Sequence, residues 1–285
     1  MKKIKVLKFG GSSLKTIEDR KKVISIIQNE LIDFKVVVIV SAIGRYPSPY
    51  ATDTLIHLSK NLQGKQKDEI MSCGELISSH VLCSECLECN LNAVSLNICE
   101  NGIYTNMKYN DADIIHVDTN TIYQYLNKHD LVIVPGFFGI NQYQHISSLG
   151  RGGSDLSAVA IAHGLGLNEV TIYSDVKGIY SCDPKKFTNA ILYPFVNYQQ
   201  AMILSNLNVQ VLQNKACLYA YKNKIDIILK STFCKDGYTR VVRECENHNY
   251  LIFEENHYLL ISKFNEIIHF NASLPIQNAH ELFIE

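Results

Sequence analysis

The segment Lys8-Phe9-Gly10-Gly11-Ser12-Ser13 follows directly on the apolar run Ile4-Lys5-Val6-Leu7. If that run is a strand, the two glycines form the turn at its carboxyl end. They would open backbone conformations closed to other residues and leave peptide N–H groups bare enough to touch a ligand. Ser12 and Ser13 stand where a following helix would be capped, a favourable place for an anion. Lys8 adds a full positive charge at the same spot. The glycines alone are equally compatible with a simple structural turn, and because the lysine precedes them this is not a Walker A loop. Lys8 is harder to explain as structure, since a lysine interrupting an apolar buried strand costs free energy.

A second glycine corner, SLGRGGSD at 148–155, lies between an expected strand and an expected helix. Ser154 or Asp155 could serve as the helix cap. A cap leaves Arg151 unexplained: flanked by glycines, its guanidinium is open to a bidentate grip on a carboxylate or phosphate. A third corner, Ser174-Asp175-Val176-Lys177-Gly178-Ile179-Tyr180, again follows a strand and runs into Cys182-Asp183-Pro184-Lys185. Three such corners suit a phosphorylated ligand held beside a carboxylate-bearing one.

The elements that must position these corners alternate along the chain. Strands are expected at 4–9, 36–43, 93–98, 131–138, 169–174 and 225–233, several of them apolar at nearly every position. Helices are expected at 16–31, 54–61, 68–90, 119–128, 154–165 and 198–206. This alternation predicts an α/β fold, a three-layer αβα sandwich around a mostly parallel central sheet covered on both faces. Ligands then belong at the carboxyl ends of the strands. Residues 44–53, GRYPSPYATD, read as a surface loop or lid. After Gly237 no glycine follows, and short strand-like runs at 250–253, 258–262 and 267–270 suggest a small β-rich appendage. The expected division is therefore a main α/β domain over 1–235 and a short tail over 236–285.

With 27 basic and 28 acidic side chains among 285 residues, the net charge of −1 exerts no general pull toward nucleic acid or anionic membrane. No apolar stretch is long enough to span a bilayer and no secretory signal core is seen, so a cytoplasmic protein is expected. Cys83, Cys86 and Cys89 have a metal-like spacing. They also fall on one helical stripe, where cysteine behaves as a small hydrophobe, and Ala93 stands where a ferredoxin-type run needs its fourth cysteine. Packed, reduced thiols are expected, with no protein-held metal.

KFGGSS, VSAIG (40–44) with ATD (51–53), CGELISS (73–79), PGFFG (135–139), LGRGGSD (149–155) and YSDVKGIYSCDP (173–184) resemble, in order and spacing, the catalytic domain of aspartate kinases in the amino-acid kinase superfamily, of the Bacillus type. The resemblance covers about residues 1–235. It implies the amino-acid kinase fold and transfer of the ATP γ-phosphoryl group to the side-chain carboxylate of L-aspartate, giving 4-phospho-L-aspartate for lysine, threonine and methionine biosynthesis. By similarity, Lys8 faces the transferred phosphoryl group, Gly10, Gly11 and Ser12 donate hydrogen bonds to it, and Asp155 orients Lys8. Arg151 takes the α-carboxylate of aspartate and Glu75 its α-amino group, with Ser41, Thr52 and Ser154 lining the pocket. Ser174, Asp175, Tyr180, Asp183 and Lys185 fall on the nucleotide side, and Mg²⁺ rides mainly on the phosphates. From the residues alone, Glu75 could instead be a first-turn helix carboxylate facing the macrodipole, Tyr180 ordinary core, and Ser41 a strand-end hydrogen bonder.

Two departures from the family pattern stand out. Gln210 occupies the place of a lysine expected beside the nucleotide phosphates, which supplies a donor and no charge; Lys177, Lys185 or Lys215 could compensate. The residues after Gly237 are too few for the pair of ligand-binding ACT modules of aspartate kinases and leave room for at most a vestigial fragment of one, with dimerisation or docking the alternative role of the tail and a homodimer the expected assembly. These departures keep two alternatives open: a weak or inactive regulatory relative of the same fold, or another kinase of the superfamily.

Overall fold

Residues 36–40 have no exposed surface at all, which a strand achieves only where both faces of its sheet are covered. A computed structural model describes residues 2–207, 212–254, 257–271 and 284. The chain forms β1 (Lys3–Phe9), α1 (Ile17–Leu31), β2 (Phe34–Val40), α2 (Thr52–Leu58), α3 (Gly64–Glu88) and β3 (Ala93–Ser95). It continues through β4 (Ile103–Thr105), β5 (Ile114–Val117), α4 (Asn120–Lys128), β6 (Leu131–Pro135), β7 (Phe138–Ile140), β8 (Ile146–Ser148) and α5 (Gly153–Gly164). Then come β9 (Glu169–Ser174), β10 (Phe195–Asn197), α6 (Tyr198–Asn206), α7 (Asn214–Asn223), β11 (Asp226–Ser231) and β12 (Thr239–Val242). Last are β13 (Tyr250–Glu254), β14 (His257–Ile261) and β15 (Ile267–Asn271).

Eight strands make the central sheet in the order β10-β12-β11-β9-β1-β2-β6-β3. All neighbours are parallel except β11 and β12. Because strand side chains alternate between faces, Leu7, Phe9, Val36, Val38 and Val40 pack under α1 and α3. Val6, Val37, Ile39, Val132 and Val134 pack against α4, α5 and α7 on the other face. Each fully buried aliphatic contributes roughly 1.5–3 kcal/mol. Helix α5 is buried from Gly153 through Ala162, since the sheet lies on one side of it and α7 on another. The predicted three-layer αβα architecture is thus the one found.

Strand order decides where a ligand can go. From β1 the chain winds outward to β2 and β6, then returns to place β9 on the other side of β1. Connections leave β1 and β9 in opposite directions, and the crevice outside their carboxyl ends is the topological switch point of the sheet. Phe9 pairs in register with Tyr173 across it, their rings stacked at 4.8 Å.

Several boundaries differ from the sequence expectation. The second strand ends at Val40 rather than residue 43, the run 93–98 is a strand only to Ser95, and the run 131–138 divides at Gly136 into β6 and β7. Helix α2 begins at Thr52 and α3 at Gly64. A four-stranded sheet, β5-β4-β7-β8, and helix α7 were not anticipated; strands of three or four residues are too short to display a period. The expected strand runs after Gly237 correspond to β13, β14 and β15, a small antiparallel sheet. It is fastened to the main body by Leu251 N–H donating to Ser181 O and by the T-shaped Tyr193–Tyr250 pair. Strand β12, beyond residue 235, belongs to the central sheet. Cys83 and Cys86 pack in the core as expected, whereas Cys89, past the last turn of α3, is exposed.

Asp68, fully buried near the start of α3, accepts three hydrogen bonds: from Ser148 Oγ at 2.7 Å, Ser148 N at 3.1 Å and Asn110 N at 2.9 Å. It fastens the end of β8, and so the approach to the second glycine corner, to α3. Asp68→Ala would strand three buried donors and is expected to lower stability by about 2–4 kcal/mol, read as a shifted denaturant midpoint. An unchanged midpoint would show that the carboxylate does not hold this junction.

Candidate active site

Lys8 shares its face of β1 with Val6, the face covered by α5. Asp155 stands in the first turn of α5, and its Oδ1 lies 2.6 Å from Lys8 Nζ, both side chains only 11 % exposed. Among the described residues no second polar partner reaches that oxygen. A buried ammonium costs several kcal/mol unless a carboxylate answers it. The pair therefore brings the first and second corners together, as the sequence reading expected.

The glycines of the first corner act differently from that reading. Gly10 is extended, with φ −76°, and an added Cβ would touch Lys8 Nζ at 3.6 Å; its bareness keeps the ammonium uncovered. A Cβ on Gly11 would be driven into the carbonyl oxygens of Ala42 and Gly44, so Gly11 is set by close approach of the loop after β2, which it holds by accepting from Gly44 N at 2.9 Å. The residues from Gly11 to Leu14 form a short 3-10 turn, whose first N–H groups lack intrahelical partners. Ser13 is no cap: it is fully buried, 2.7 Å from Thr232 Oγ1, and α1 is capped by Thr16, which accepts from Asp19 N. Ser12 remains half-exposed at the corner. The turn is fixed from behind by Arg20, which donates to Leu14 O and forks onto Glu85 of α3 at 2.7–2.9 Å.

In the second corner neither Ser154 nor Asp155 caps α5. The cap is Gly152, with φ +74° and no side-chain cap hydrogen bond, a left-handed conformation that favours glycine. Ser154 is buried, its Cβ close against Gly136. Arg151 is exposed, with no carboxylate in ion-pair range among the described residues. The loop is pinned by Lys215 of α7, which donates to Leu149 O at 3.3 Å and binds Asp111. Lys215 is thereby engaged in structure.

Glu75 sits in the middle of α3, not in its first turn, so the macrodipole reading does not apply. It is 1 % exposed. Its Oε1 accepts from Ala42 N at 3.3 Å and from Thr52 Oγ1 at 3.2 Å, while Oε2 is buried with no hydrogen-bond partner. Burial pushes its carboxyl up to about 8. Thr52, the first residue of α2, thus ties the lid segment to Glu75. Ser41 follows β2 and donates its N–H to Phe9 O at 3.1 Å, which sets Ala42 and Glu75 beside the first corner.

At the third corner Ser174 turns back on its own loop, accepting from Val176 N and donating to Val176 O. Asp175 is exposed, with Lys185 Nζ 3.7 Å away. Asp183 accepts from Lys185 N, Lys186 N and Phe187 N, closing a turn. Tyr180 is half-buried, bridged to Leu192. Lys177 is paired with the Cys234 thiol. Gln210 lies outside the described residues. Sequence reasoning missed Arg20, Asp68 and the Lys215–Asp111 pair, whose roles come from partners distant in sequence.

A three-layer sheet with an ion-paired lysine at its switch crevice, under a glycine turn, defines the class: an α/β protein whose strand ends form an open polar crevice. A family model described as "Amino acid kinase family" matches residues 3–231, and the chain belongs to the amino acid kinase family. It is 35% identical over 244 residues to aspartokinase 1 of Bacillus subtilis (84% of this chain, 60% of that protein). It is 33% identical over 252 residues to an aspartokinase of Geobacillus stearothermophilus (87% and 61%). The chain thus spans about three-fifths of the length of these curated relatives. The crystal structure of aspartate kinase from Synechocystis superposes with a TM-score of 0.73 at 29% identity, covering 85% of this chain and 40% of that one. That of E. coli aspartokinase III with aspartate and ADP reaches 0.76 at 22% identity, covering 90% and 69%, a likeness of fold.

The raised carboxyl of Glu75 makes a pH prediction. The unfolded chain releases this proton near 4.5 and the folded chain only near 8, so the folded state loses stability as pH rises through that window. Glu75→Gln is expected to flatten the decline by up to about 1.4 kcal/mol per pH unit, read by denaturant unfolding across the window. Parallel curves for the two proteins would mean that Glu75 ionises freely.

Proposed function

We propose that the protein is an aspartate kinase, transferring the γ-phosphoryl group of ATP to the β-carboxylate of L-aspartate. The observation that carries the reading is Glu75 Oε2, a buried carboxylate oxygen with no partner, next to the Lys8–Asp155 corner through Ala42 and Ser41. Buried in this way, the carboxyl keeps its proton to about pH 8; an α-amino group entering beside Oε2 would supply the cation that favours the ionised form. Arg151, exposed and without an acidic partner, suits the α-carboxylate, so the two residues together fit a dipolar amino acid. Relatives named aspartokinase support the same substrate.

The chemistry makes modest demands. The acceptor carboxylate is already ionised near neutral pH, so no general base is required. One of its oxygens bonds to the γ-phosphorus as the bond to the β–γ bridging oxygen breaks, and ADP leaves. What remains for the protein is positioning and charge neutralisation. In this reading Lys8, held by Asp155 and left open by Gly10, meets the transferred phosphoryl group, with Ser12 beside it. Ser41, Thr52 and Ser154 border the aspartate, and Ser174, Asp175, Tyr180, Asp183, Lys185 and Gln210 the nucleotide. Among the described residues no group of three His, Cys, Asp or Glu side chains is arranged to hold a metal; Mg²⁺ would be carried on the phosphates, with Asp175 the carboxylate placed to reach it, and would neutralise their charge.

The test is Mg²⁺-ATP, L-aspartate and hydroxylamine, which traps the acyl phosphate as a hydroxamate. Aspartate-dependent hydroxamate is expected, and glutamate should give little. Absence of product with any acceptor, from folded protein that still binds ATP, would favour a non-catalytic relative. Lys8→Ala should lower turnover at least about 100-fold and cost about 2–4 kcal/mol by leaving Asp155 unanswered. The double change Lys8→Ala/Asp155→Ala should regain stability without regaining turnover. Arg151→Ala should raise the aspartate requirement about 10-fold or more, with a smaller effect on ATP; equal effects would displace Arg151 from the aspartate site.

A further inference from the structure

Beside Ser12 the loop after β2 borders an open cavity of about 440 Å³ whose walls include Ser12, Lys15, Arg45, Tyr46, Ser48 and Asp175. Two of these are cations, and neither Lys15 nor Arg45 has a carboxylate in ion-pair range among the described residues. The other lysines of the three corners are engaged. Lys8 is held by Asp155, Lys185 faces Asp175, Lys215 is bound to Asp111 and Lys177 is paired with Cys234.

The two free cations are held in place. Gly44 N donates to Gly11 O at 2.9 Å, and Ser48 N to Arg45 O at 2.8 Å, so Arg45 begins a closed turn anchored on the first corner. The stem of Lys15 runs along Gly44, where an added Cβ would lie 3.7 Å from Lys15 Cγ. Both charges therefore stand on the loop wall of one cavity, which Asp175 joins from the end of β9 at the switch crevice. Unpaired cations facing a cavity favour an anion. The carboxylate of Asp175 in the same walls would repel a bare anion, so the ligand that fits is a polyphosphate that brings its own divalent cation.

We propose that Arg45 and Lys15 bind the polyphosphate chain of the nucleoside triphosphate, a role that rests on the kinase reading above for the nucleoside and on the cavity alone for the polyphosphate. Arg45 offers a planar fork for two phosphate oxygens, Lys15 a point charge. The loop carrying Arg45 also carries Thr52, which touches Glu75. One segment would then contact both substrates, the triphosphate through Arg45 and the amino acid site through Thr52.

Calorimetry on the full chain would compare Mg²⁺-ATP, AMP and Mg²⁺-tripolyphosphate, for the wild type, Arg45→Gln, Lys15→Gln and the double variant. Both side chains are exposed, and matching melting temperatures would establish that the variants fold. The double variant is expected to bind Mg²⁺-ATP and tripolyphosphate at least about tenfold more weakly, with AMP affinity unchanged and a shallower salt dependence of Mg²⁺-ATP binding. Arg45→Lys should keep most of the affinity. Wild-type affinity for Mg²⁺-ATP in the double variant, or equal losses for ATP and AMP, would overturn the assignment. Tripolyphosphate bound through Arg45 by a protein that binds no nucleotide would uphold the site and sink the kinase reading; no binding of either by the wild type would sink both.

Discussion

An ammonium on a covered face of a sheet has to be answered, and that requirement organises this protein. Alternation along β1 sends Lys8 toward α5 together with Val6. The first turn of α5 brings Asp155 to 2.6 Å from it. The left-handed cap at Gly152 that starts α5 and the stacked Phe9 and Tyr173 rings where β9 lies beside β1 both flank this one ion pair. Because buried pairs gain little net stability over apolar packing, its presence at the switch point speaks for chemistry.

Around that pair the polar groups divide into two kinds. Some are saturated by structure: Asp68 has three donors, Arg20 is forked onto Glu85, and Lys215 is spent on Asp111 and Leu149. Arg20 holds the first corner, and Asp68 and Lys215 the second. Others are left wanting: Glu75 Oε2 has no donor, and Arg151, Lys15 and Arg45 have no acid within reach among the described residues. Native interiors pair their buried polar groups, which makes Glu75 Oε2 the exception in this set; the three cations are exposed and need no partner for the fold to stand.

The sheet and its site were legible to different depths. Strands buried on both faces announce themselves as continuous β-branched runs, and Val36 to Val40 could hardly be read otherwise. The corners were legible because lysine, arginine and glycine at strand ends are costly without a purpose. The three- and four-residue strands of the second sheet were not, since so short an element has no period to display; helix α7, ten residues long, was also missed, and its length does not explain why. Ser13 shows the same limit on a single residue: its type and position suggest a cap, and only its contact with Thr232, distant in the chain, reveals a buried structural hydroxyl. Gly11 carries a constraint that the sequence reading did not name, the close approach of the Ala42 and Gly44 carbonyls, because contact between distant backbones leaves no trace in local sequence.

The position of β1 in the middle of the sheet has a consequence for how the protein is made. Its neighbour β2 follows at once, but β9 and Asp155 lie about 150 residues further along. During synthesis β1 is made well before its partners, and one edge of it, with a lysine facing nothing, must wait until α5 and β9 have followed. Contacts so distant in sequence are slow to form and leave partly folded chains open to association. The Lys8–Asp155 crevice therefore forms late, and nascent chains are most exposed to misassembly at the switch point of the sheet.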